Sequence, residues 1–497
     1  MPDHFISRDA AERDLFSAAT YVAERIKSAD GHAEAMGAII PIYLAKGEVD
    51  MAASLANEIG EPFSRDKLLI SVAEKCAELD DDEYAMQLVD AIEDQGMHAQ
   101  AFERIGLVKA GKGETDAARR IADTMVHPDF VLAGIAVRQA ADGNDEEARS
   151  TLESIDFPTA RASALEQIAS AAIETDKVSR GVEMLERSAT AADEIEHDEE
   201  KIRAFCDIGN LFIAAGRNDK AVETFDHAHQ LTEVLGSIHR DYFYVACALG
   251  FLHAGSLDLA DRTLDLVTDK TQMASALLGF SREYWSKGEK DEAIETLDEA
   301  DEILKSQREM ETRDSRARNA LMTSIAVQFA GFGKTERGIE VAQQNLDPDE
   351  QMNGFAQIAQ ILAIQKEDDL ARQTLNLIPE DANRVFALIS MADAKEKLED
   401  KDAALALFNE AASLAETVPQ LASRSSVLNE LAMRFALHGD LEKARQLSIE
   451  NLAVILSIRD ESTQAVTLAS LSGVYERAGI EPGEKEFKSV EQLLRRM

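Results

Sequence analysis

The chain has 497 residues, of which 45% are apolar and 29% are charged, so its composition excludes an intrinsically disordered protein and provides a large core. Its 93 acidic and 52 basic residues give a formal net charge of −41. A field of this sign repels phosphate groups, so binding to nucleic acid or to an anionic membrane is not expected. The acidity has two interpretations: a solvating surface that keeps the protein soluble in high salt, or a field that steers a cationic partner.

The compartment is predicted from the cysteines and from the absence of targeting segments. Cys76, Cys206 and Cys247 are too few and too scattered for a disulfide framework, and we interpret Cys206 and Cys247 as small core residues. The N-terminal residues have no basic segment followed by an apolar run, and no stretch approaches the ~18 apolar residues that span a bilayer. The sequence therefore predicts a cytoplasmic protein without membrane insertion.

Taken in chain order, the first predicted element is a helix within residues 1–30. From residue 31 onward a short phrase recurs, for example GNDEEARSTL from Gly143 and GDLEKARQL from Gly439. Each copy contains a turn residue that we use as its anchor, and the anchors are 33 residues apart with several longer intervals. The last predicted element is a helix in residues 485–497. The thirteen anchors are Gly47, Asp80, Gly113, Gly143, Asp176, Gly216, Gly255, Gly288, Gly333, Lys366, Glu399, Gly439 and Gly479.

The residues around each anchor repeat with a helical spacing. Apolar or small residues lie at offsets −11, −8 and −7 and in most copies at −4, and these four offsets form one face of a helix. Offset +5 is Ala or Gly in every copy except the last, which has Glu484. A small residue on each side of a turn lets two helices approach closely, so each copy is predicted to be a helical hairpin. Because one hairpin cannot bury its own apolar face, neighbouring copies must stack.

This pattern resembles the tetratricopeptide repeat, a helical hairpin of about 34 residues. The resemblance covers residues 31–484, although the terminal Pro of the family is missing and offset −4 is not always aromatic, as Gln139 and Lys395 show. It implies an all-α fold, a right-handed superhelical α-solenoid of about thirteen TPR-like repeats. Residues 1–30 would form an N-terminal capping helix and residues 485–497 a C-terminal one.

The resemblance also implies where a ligand would bind. In this family the concave groove is lined by first-helix residues at offsets −13, −10, −6 and −3, which we call the groove face. A Trp flanked by Arg and Tyr side chains has the composition of a binding hot spot, although ordinary groove residues remain an alternative. The candidate groove residues are Arg203, Asn210, Tyr242, Arg282, Trp285, Asn353 and Gln360.

No motif predicts catalysis, a metal site or a cofactor. GFGKT, residues 331–335, lacks the first Gly of a phosphate-binding loop, and Gly333 is the anchor of the ninth copy. His227 and His229 are two residues apart on a predicted helix, so they point away from each other and cannot chelate one ion together. We therefore predict no catalytic residues, no metal ligands and no cofactor.

The function predicted from these observations is a non-enzymatic scaffold or adaptor that binds a protein or peptide in the groove, a basic one if the acidity steers a cationic partner. The alternative is a regulatory TPR protein that senses a peptide and signals through a partner protein. An unrecognised enzyme is a third hypothesis, which clustered carboxylates with perturbed pKa values in a deep groove pocket would favour.

Overall fold

The structure is a computed structural model that describes residues 4–306 and 315–495. These ranges contain twenty-eight helices and no strand. The helices up to residue 153 are α1 (Arg8–Ala11), α2 (Leu15–Ala23), α3 (Ala29–Ala45), α4 (Val49–Asn57), α5 (Pro62–Glu78), α6 (Asp82–Asp90), α7 (Gln95–Gly111), α8 (Thr115–Ala122), α9 (Asp129–Ala141) and α10 (Asp145–Glu153). Those from 158 to 343 are α11 (Pro158–Glu174), α12 (Val178–Asp193), α13 (Asp198–Ala214), α14 (Asn218–Val234), α15 (Arg240–His253), α16 (Leu257–Leu264), α17 (Lys270–Lys287), α18 (Lys290–Ser306), α19 (Ser315–Gly331) and α20 (Thr335–Gln343). The remaining helices are α21 (Pro348–Ile364), α22 (Asp368–Leu375), α23 (Asp381–Lys397), α24 (Lys401–Ala415), α25 (Leu421–Leu437), α26 (Leu441–Ile455), α27 (Glu461–Ala478) and α28 (Glu484–Leu494).

The thirteen predicted anchors are confirmed as the turns between consecutive helices, from α3–α4 to α27–α28. Every anchor has a positive φ, and no other residue within 4–306 and 315–495 does. This left-handed conformation closes the C-terminus of the first helix of each copy, because it lets backbone N–H groups bond to the last carbonyls of that helix. The Gly333 turn has φ 75° and follows a helix, which confirms that GFGKT is a repeat turn.

The small residues at offsets −7 and +5 bring the two helices of a copy together, as predicted. A Cβ added to Gly338 would lie 2.5 Å from the carbonyl oxygen of Ala326, and one added to Gly181 would lie 3.2 Å from that of Ala169. In each case the glycine is at +5 and the alanine at −7. A larger side chain at either position would therefore push the two helices apart.

The helices divide into two compact units, residues 102–354 and residues 1–101 with 355–497. We call residues 102–354 unit 2. In unit 2 each first helix packs on the next one, as in α9–α11, α11–α13 and α13–α15. A continuous apolar core runs through residues 110–280, where Phe225 fills the space left by Gly209 and Gly250 on neighbouring first helices. The buried pair Cys206 and Cys247 belongs to this core, which confirms the prediction for these cysteines.

The other compact unit, unit 1, contains both ends of the repeat array. Helix α2 packs along α27, the first helix of the last copy, and α3 of the first copy also packs on α27. All residues of α2 except Ser17 are buried. Phe16 packs on Tyr43 with a ring distance of 4.7 Å, and Ser462 at the start of α27 donates a hydrogen bond of 2.7 Å to Glu34. The first and last copies are therefore neighbours within this unit.

Helix α2 takes the place that a second helix occupies in the other copies. Helix α28 follows the last anchor but lies mainly against α2 and α26. The sequence contains the reason, because Glu484 stands where the other copies have Ala or Gly at +5. Without that small residue α28 cannot approach α27 as closely as the preceding second helices approach theirs.

Candidate functional site

The predicted groove residues of unit 2 lie on its first helices and reach solvent. Arg203 and Asn210 are exposed on α13, and Asn353 is exposed on α21. Tyr242 on α15 is 52% exposed, and its ring packs edge-on against Phe243 at 5.3 Å. A ligand on this face would therefore find polar groups and one aromatic ring accessible.

Arg282 and Trp285 lie together on α17 and both contact the next copy. Arg282 Nε donates a hydrogen bond of 2.8 Å to Gln328 Oε1, and the Trp285 ring stacks on Phe332 at 4.1 Å with an angle of 13°. The Lys290 ammonium lies 5.0 Å from the centre of the indole ring. The indole is thus half-buried by its own chain, which leaves less of it for a ligand than the sequence suggests.

The seventh candidate, Gln360, belongs to unit 1. Its side-chain amide donates to the backbone carbonyl of Ser390 at 3.4 Å, which connects α21 to α23. It therefore acts at least as a link between neighbouring first helices.

Unit 1 also contains a cavity of about 540 Å³, a volume within the range found for small-ligand sites. It lies on the groove face, where the first helices of the twelfth, thirteenth and first copies meet, and we call it the α27 cleft. Its residues are Pro41, Ile42, Ala45 and Lys46 from α3, Asn429, Glu430 and Met433 from α25, and Ala469, Ser470, Gly473, Val474, Glu476 and Arg477 from α27.

The cleft exists because the middle helix is recessed. Offsets −10 and −6 of the last copy are Ala469 and Gly473, whereas the flanking walls carry larger groups such as Met433 and Ile42. A Cβ added to Gly473 would have only Arg477 Nη2 near it, at 3.5 Å. The floor is thus open above Gly473, and a side chain placed there would fill the cleft.

One charged group in the cleft is left for a ligand. Lys46 Nζ pairs with Glu476 at 3.1 Å, and Glu430 pairs with Arg434 at 2.9 Å. Arg477 has no ion-pair partner within the described ranges 4–306 and 315–495. Its guanidinium group therefore presents hydrogen-bond donors to the cleft.

Asn429 adds a further donor from the opposite wall. Its Oδ1 atom accepts a hydrogen bond of 2.7 Å from Asn451 Nδ2, which fixes the orientation of the amide. The NH₂ group of Asn429 is then the part that can serve a ligand. With apolar walls and donors on two sides, the cleft suits a segment that has both apolar side chains and hydrogen-bond acceptors.

The sequence did not single out the α27 cleft. The seven predicted residues come from copies six to ten, whereas the cleft joins copies twelve, thirteen and one. A signal was present, because only the first and last copies have Gly, Ala or Pro at both −10 and −6: Gly37 with Pro41, and Ala469 with Gly473. Nothing in the sequence placed these copies side by side.

Two carboxyl groups of unit 2 have raised pKa values. Burial and, to a smaller extent, the nearby negative charge of Asp207 raise the pKa of Glu166 to about 7, although a hydrogen bond from the Ser188 hydroxyl at 3.2 Å opposes the shift. Burial also raises the pKa of Asp207, and the positive charge of Arg203 opposes this. These groups form an acidic pair on the first helices α11 and α13.

Neither a metal cluster nor a membrane-spanning helix occurs among the described residues. Residues 4–306 and 315–495 contain no group of three or more His, Cys, Asp or Glu side chains placed to hold a metal ion. His227 lies 3.2 Å from Asp193, while His229 packs on Tyr244 at a ring distance of 5.6 Å, so the two imidazoles have separate surroundings. Over the same part of the chain, no helix combines the length and apolar character that crossing a bilayer requires.

Comparison with known proteins supports the repeat. The family model of the tetratricopeptide repeat matches residues 274–303, the hairpin of α17 and α18. No curated protein sequence matches the chain.

Solved structures of low sequence identity are also similar to the chain. The apo form of the quorum sensor NprR from B. thuringiensis has 14% identity, with 73% of this chain and 100% of that chain covered, and a TM-score of 0.26. The human IFIT1 dimer with PPP-AAAA has 13% identity, with 83% of this chain and 98% of that chain covered, and a TM-score of 0.28. Ton1535 from Thermococcus onnurineus NA1 has 15% identity, with 81% of this chain and 98% of that chain covered, and a TM-score of 0.25. Similarity at these values identifies neither a partner nor a binding mode.

Proposed function

Because this chain is a tetratricopeptide-like repeat protein, we propose that it is a non-enzymatic scaffold or adaptor that binds a protein or peptide on the groove face of its first helices. The observation that carries the proposal is the α27 cleft. Three neighbouring first helices form it, and the offsets −10 and −6 that define the groove face supply Asn429, Met433, Ala469 and Gly473.

The chemistry of the cleft indicates what it would hold. A peptide backbone offers carbonyl oxygens to Arg477 and Asn429, and an apolar side chain of the peptide would occupy the space above Gly473. The net charge of −41 favours the approach of a basic partner. The proposed ligand is therefore a peptide segment with basic and apolar side chains, bound in part through its backbone.

The predicted residues of unit 2 are proposed as a further part of the binding surface. Tyr242, Arg203 and Asn210 are accessible there. Arg282 and Trp285 would contribute only the atoms that remain exposed beside their contacts with the next copy. A partner that uses this face should lose affinity when Tyr242 or Arg282 is replaced by Ala.

The test measures binding of a fluorescent peptide library, rich in Lys, Arg and Leu, to the parent protein and to Gly473→Leu. Leucine favours a helix over glycine, so this variant fills the cleft without weakening α27. Gly111→Leu is the matched control, because a Cβ at Gly111 has no neighbour within 4 Å. We expect micromolar binding that falls at least about tenfold in Gly473→Leu, a loss of about 1.4 kcal/mol, and stays unchanged in Gly111→Leu.

Failure of the whole library to bind the parent at millimolar concentration would overturn the scaffold proposal. Equal binding by Gly473→Leu and the parent would show that the scaffold does not bind its peptide in the α27 cleft. In that case Tyr242→Ala and Arg282→Ala show whether the ligand uses the groove face of unit 2 instead.

A peptide-sensing regulator is a second candidate function, and one observation favours it. The walls of the α27 cleft come from α3 and from α25, which lie near opposite ends of the sequence. A ligand in the cleft would therefore stabilise the packing of the two ends, and this change could be passed to a partner protein. Hydrogen exchange of α2 and α3 that slows when a peptide binds would support this function, and unchanged exchange would contradict it.

A further inference from the structure

A groove runs between two second helices of unit 2. Helix α10 has nine residues and packs on α9, while α12 has sixteen and packs on α11 and α13. At 1.5 Å per residue, α12 is about 10 Å longer than α10, so the end of α12 has no second helix beside it on the α10 side. A cavity of about 370 Å³ lies between α10 and the first half of α12, and one of about 310 Å³ lies at the end of α10; the two share Leu152 and Arg187. We call this groove the α10–α12 groove.

The floor of the groove is apolar and its rim carries arginines. Ala140, Ala148, Leu152 and Ile168 form the floor of the larger cavity. Arg149, Arg180 and Arg187 line the same cavity, with Asp145, Glu146 and Glu183. Three guanidinium groups around one cavity are unusual in a chain with 93 acidic and 52 basic residues, in which carboxylates are available almost everywhere.

Only one of these arginines has a carboxylate partner. Arg180 pairs with Asp145 across the groove and donates to the carbonyl oxygen of Ala140 at 3.3 Å. Arg187 donates to the sulfur of Met184 at 3.9 Å, a weak acceptor. In the part of the chain that the structure describes, neither Arg149 nor Arg187 has an ion-pair partner. Two guanidinium groups at the groove are thus available to an anionic ligand.

We propose that the α10–α12 groove binds an acidic segment of a partner protein. Carboxylates of the segment accept hydrogen bonds from Arg149 and Arg187, and an apolar side chain between them packs on Leu152 and Ile168. Arginine is suited to this role because its planar group binds a carboxylate through two parallel hydrogen bonds. The three carboxylates already at the cavity oppose a doubly charged phosphate more strongly than a singly charged carboxylate, so the groove favours Glu and Asp.

This site goes beyond the proposed function, because it lies on second helices and takes the opposite charge. It belongs to unit 2, whereas the α27 cleft belongs to unit 1. Loss of one site therefore leaves the other testable.

The experiment measures the fluorescence anisotropy of a short labelled peptide of Glu, Leu and Ser with the full chain. The variants are Arg149→Gln, Arg187→Gln and the two together. The matched control is Arg120→Gln, which removes an exposed arginine of the second helix α8 outside the groove. Companion peptides replace Glu by Gln or Ser by phosphoserine, and circular dichroism checks that each variant is folded.

We expect at least tenfold weaker binding of the Glu peptide by the double variant, and no change in Arg120→Gln. The Gln peptide should bind neither protein. If the double variant is unstable, binding of the Glu peptide by the single variant Arg149→Gln tests the proposal instead. Arg149 is exposed, so this change leaves the apolar floor intact.

Four results would overturn the proposal. One is a parent protein that does not bind the Glu peptide at millimolar concentration, and another is equal binding by the parent and the double variant. Tighter binding of the phosphoserine peptide would replace the carboxylate ligand by a phosphate. Self-association of the parent that the double variant loses would assign the groove to a second copy of this chain.

Discussion

Single residues set the geometry of every copy through the backbone of the turn. Nine of the thirteen anchors are glycines, but Asp80, Asp176, Lys366 and Glu399 have φ values between 58° and 66°. Left-handed backbone costs a residue with a Cβ atom roughly 1–2 kcal/mol, a cost that glycine avoids. The four copies whose anchor is not glycine therefore contain backbone strain at the turn.

Replacing Glu399 by Gly should relieve this strain. The gain is reduced because glycine also loses more freedom on folding, so we expect the free energy of unfolding to rise by about 0.5–1 kcal/mol. Urea denaturation followed by circular dichroism measures it. The control is Glu295→Gly, in the exposed interior of α18, which should lower the free energy by about 1 kcal/mol. A loss of stability in both variants would contradict the role assigned to the turn.

Glu166 is the residue whose charge should affect stability near neutral pH. Burial raises its pKa from the ordinary 4.5 to about 7, so the folded state binds a proton more tightly than the unfolded state. Its contribution is fully present below pH 4.5 and is lost as the pH rises through 7.

Glu166→Gln keeps the shape of the protonated side chain and removes this dependence. Glu166 is partly exposed, which reduces the effect, and we expect the variant to be more stable than the parent by about 1–2 kcal/mol at pH 8 and similar to it at pH 4.5. Thermal melting of both proteins at the two pH values measures the difference. Glu174→Gln, an exposed change on the same helix, is the control. Equal melting temperatures of parent and Glu166→Gln at pH 8 would contradict the prediction.

At the scale of the elements, aspartates connect successive copies. Asp66, Asp129 and Asp241 all lie at offset −14, and each carboxylate accepts two backbone N–H groups from the loop that leads into the next first helix. For Asp241 these donors are Thr268 and Asp269, at 2.7 and 2.6 Å. One side chain thus holds the end of one copy to the start of the next.

Asp241→Ala should destabilise unit 2 by about 2 kcal/mol, because it leaves those partly buried donors without an acceptor. Burial raises the pKa of Asp241, but the hydrogen bonds from Asp269 and Thr268 outweigh it and hold the pKa below the ordinary 3.8. The stabilisation is therefore present above pH 3.8 and is lost as the pH falls through the lower pKa of the folded state. Urea denaturation at pH 7 measures the effect, and Asp261→Ala on the exposed face of α16 is the control. Equal losses in the two variants would show that the loop does not depend on Asp241.

The sequence predicted the elements well and their connections poorly. Anchors, small residues and apolar offsets recur in almost every copy, because each hairpin must solve the same packing problem, and all thirteen turns were found from them. Offset −14 is aspartate in three copies, Asn319 or Ser425 in two others and mostly apolar elsewhere. A contact that a minority of copies use does not produce a repeating pattern, so only coordinates reveal it.

At the scale of the molecule, what the sequence could not predict is the packing of distant segments within unit 1. The placement of α2 and α3 against α27 joins residues more than 400 positions apart, as the 428-residue separation of Glu34 and Ser462 shows. The α27 cleft depends on it, because α3 forms one wall. No local spacing indicates such a contact, and only Glu484 indicates that α28 packs differently from the other second helices.

The most direct test of this account joins α3 to α27 by a disulfide. A Cβ at Gly31 would lie 3.6 Å from the Cβ of Ser462, within the range of about 3.5–4.5 Å found in disulfides. The three native cysteines are buried, so Gly31→Cys/Ser462→Cys should form one intramolecular bond under mild oxidation. Its electrophoretic mobility should then change without reductant, whereas that of the control Gly31→Cys/Ser413→Cys, with the second cysteine on the exposed face of α24, should not. Two free thiols in the oxidised double variant, or only intermolecular dimers, would contradict the packing of the first copy on the last and with it the α27 cleft.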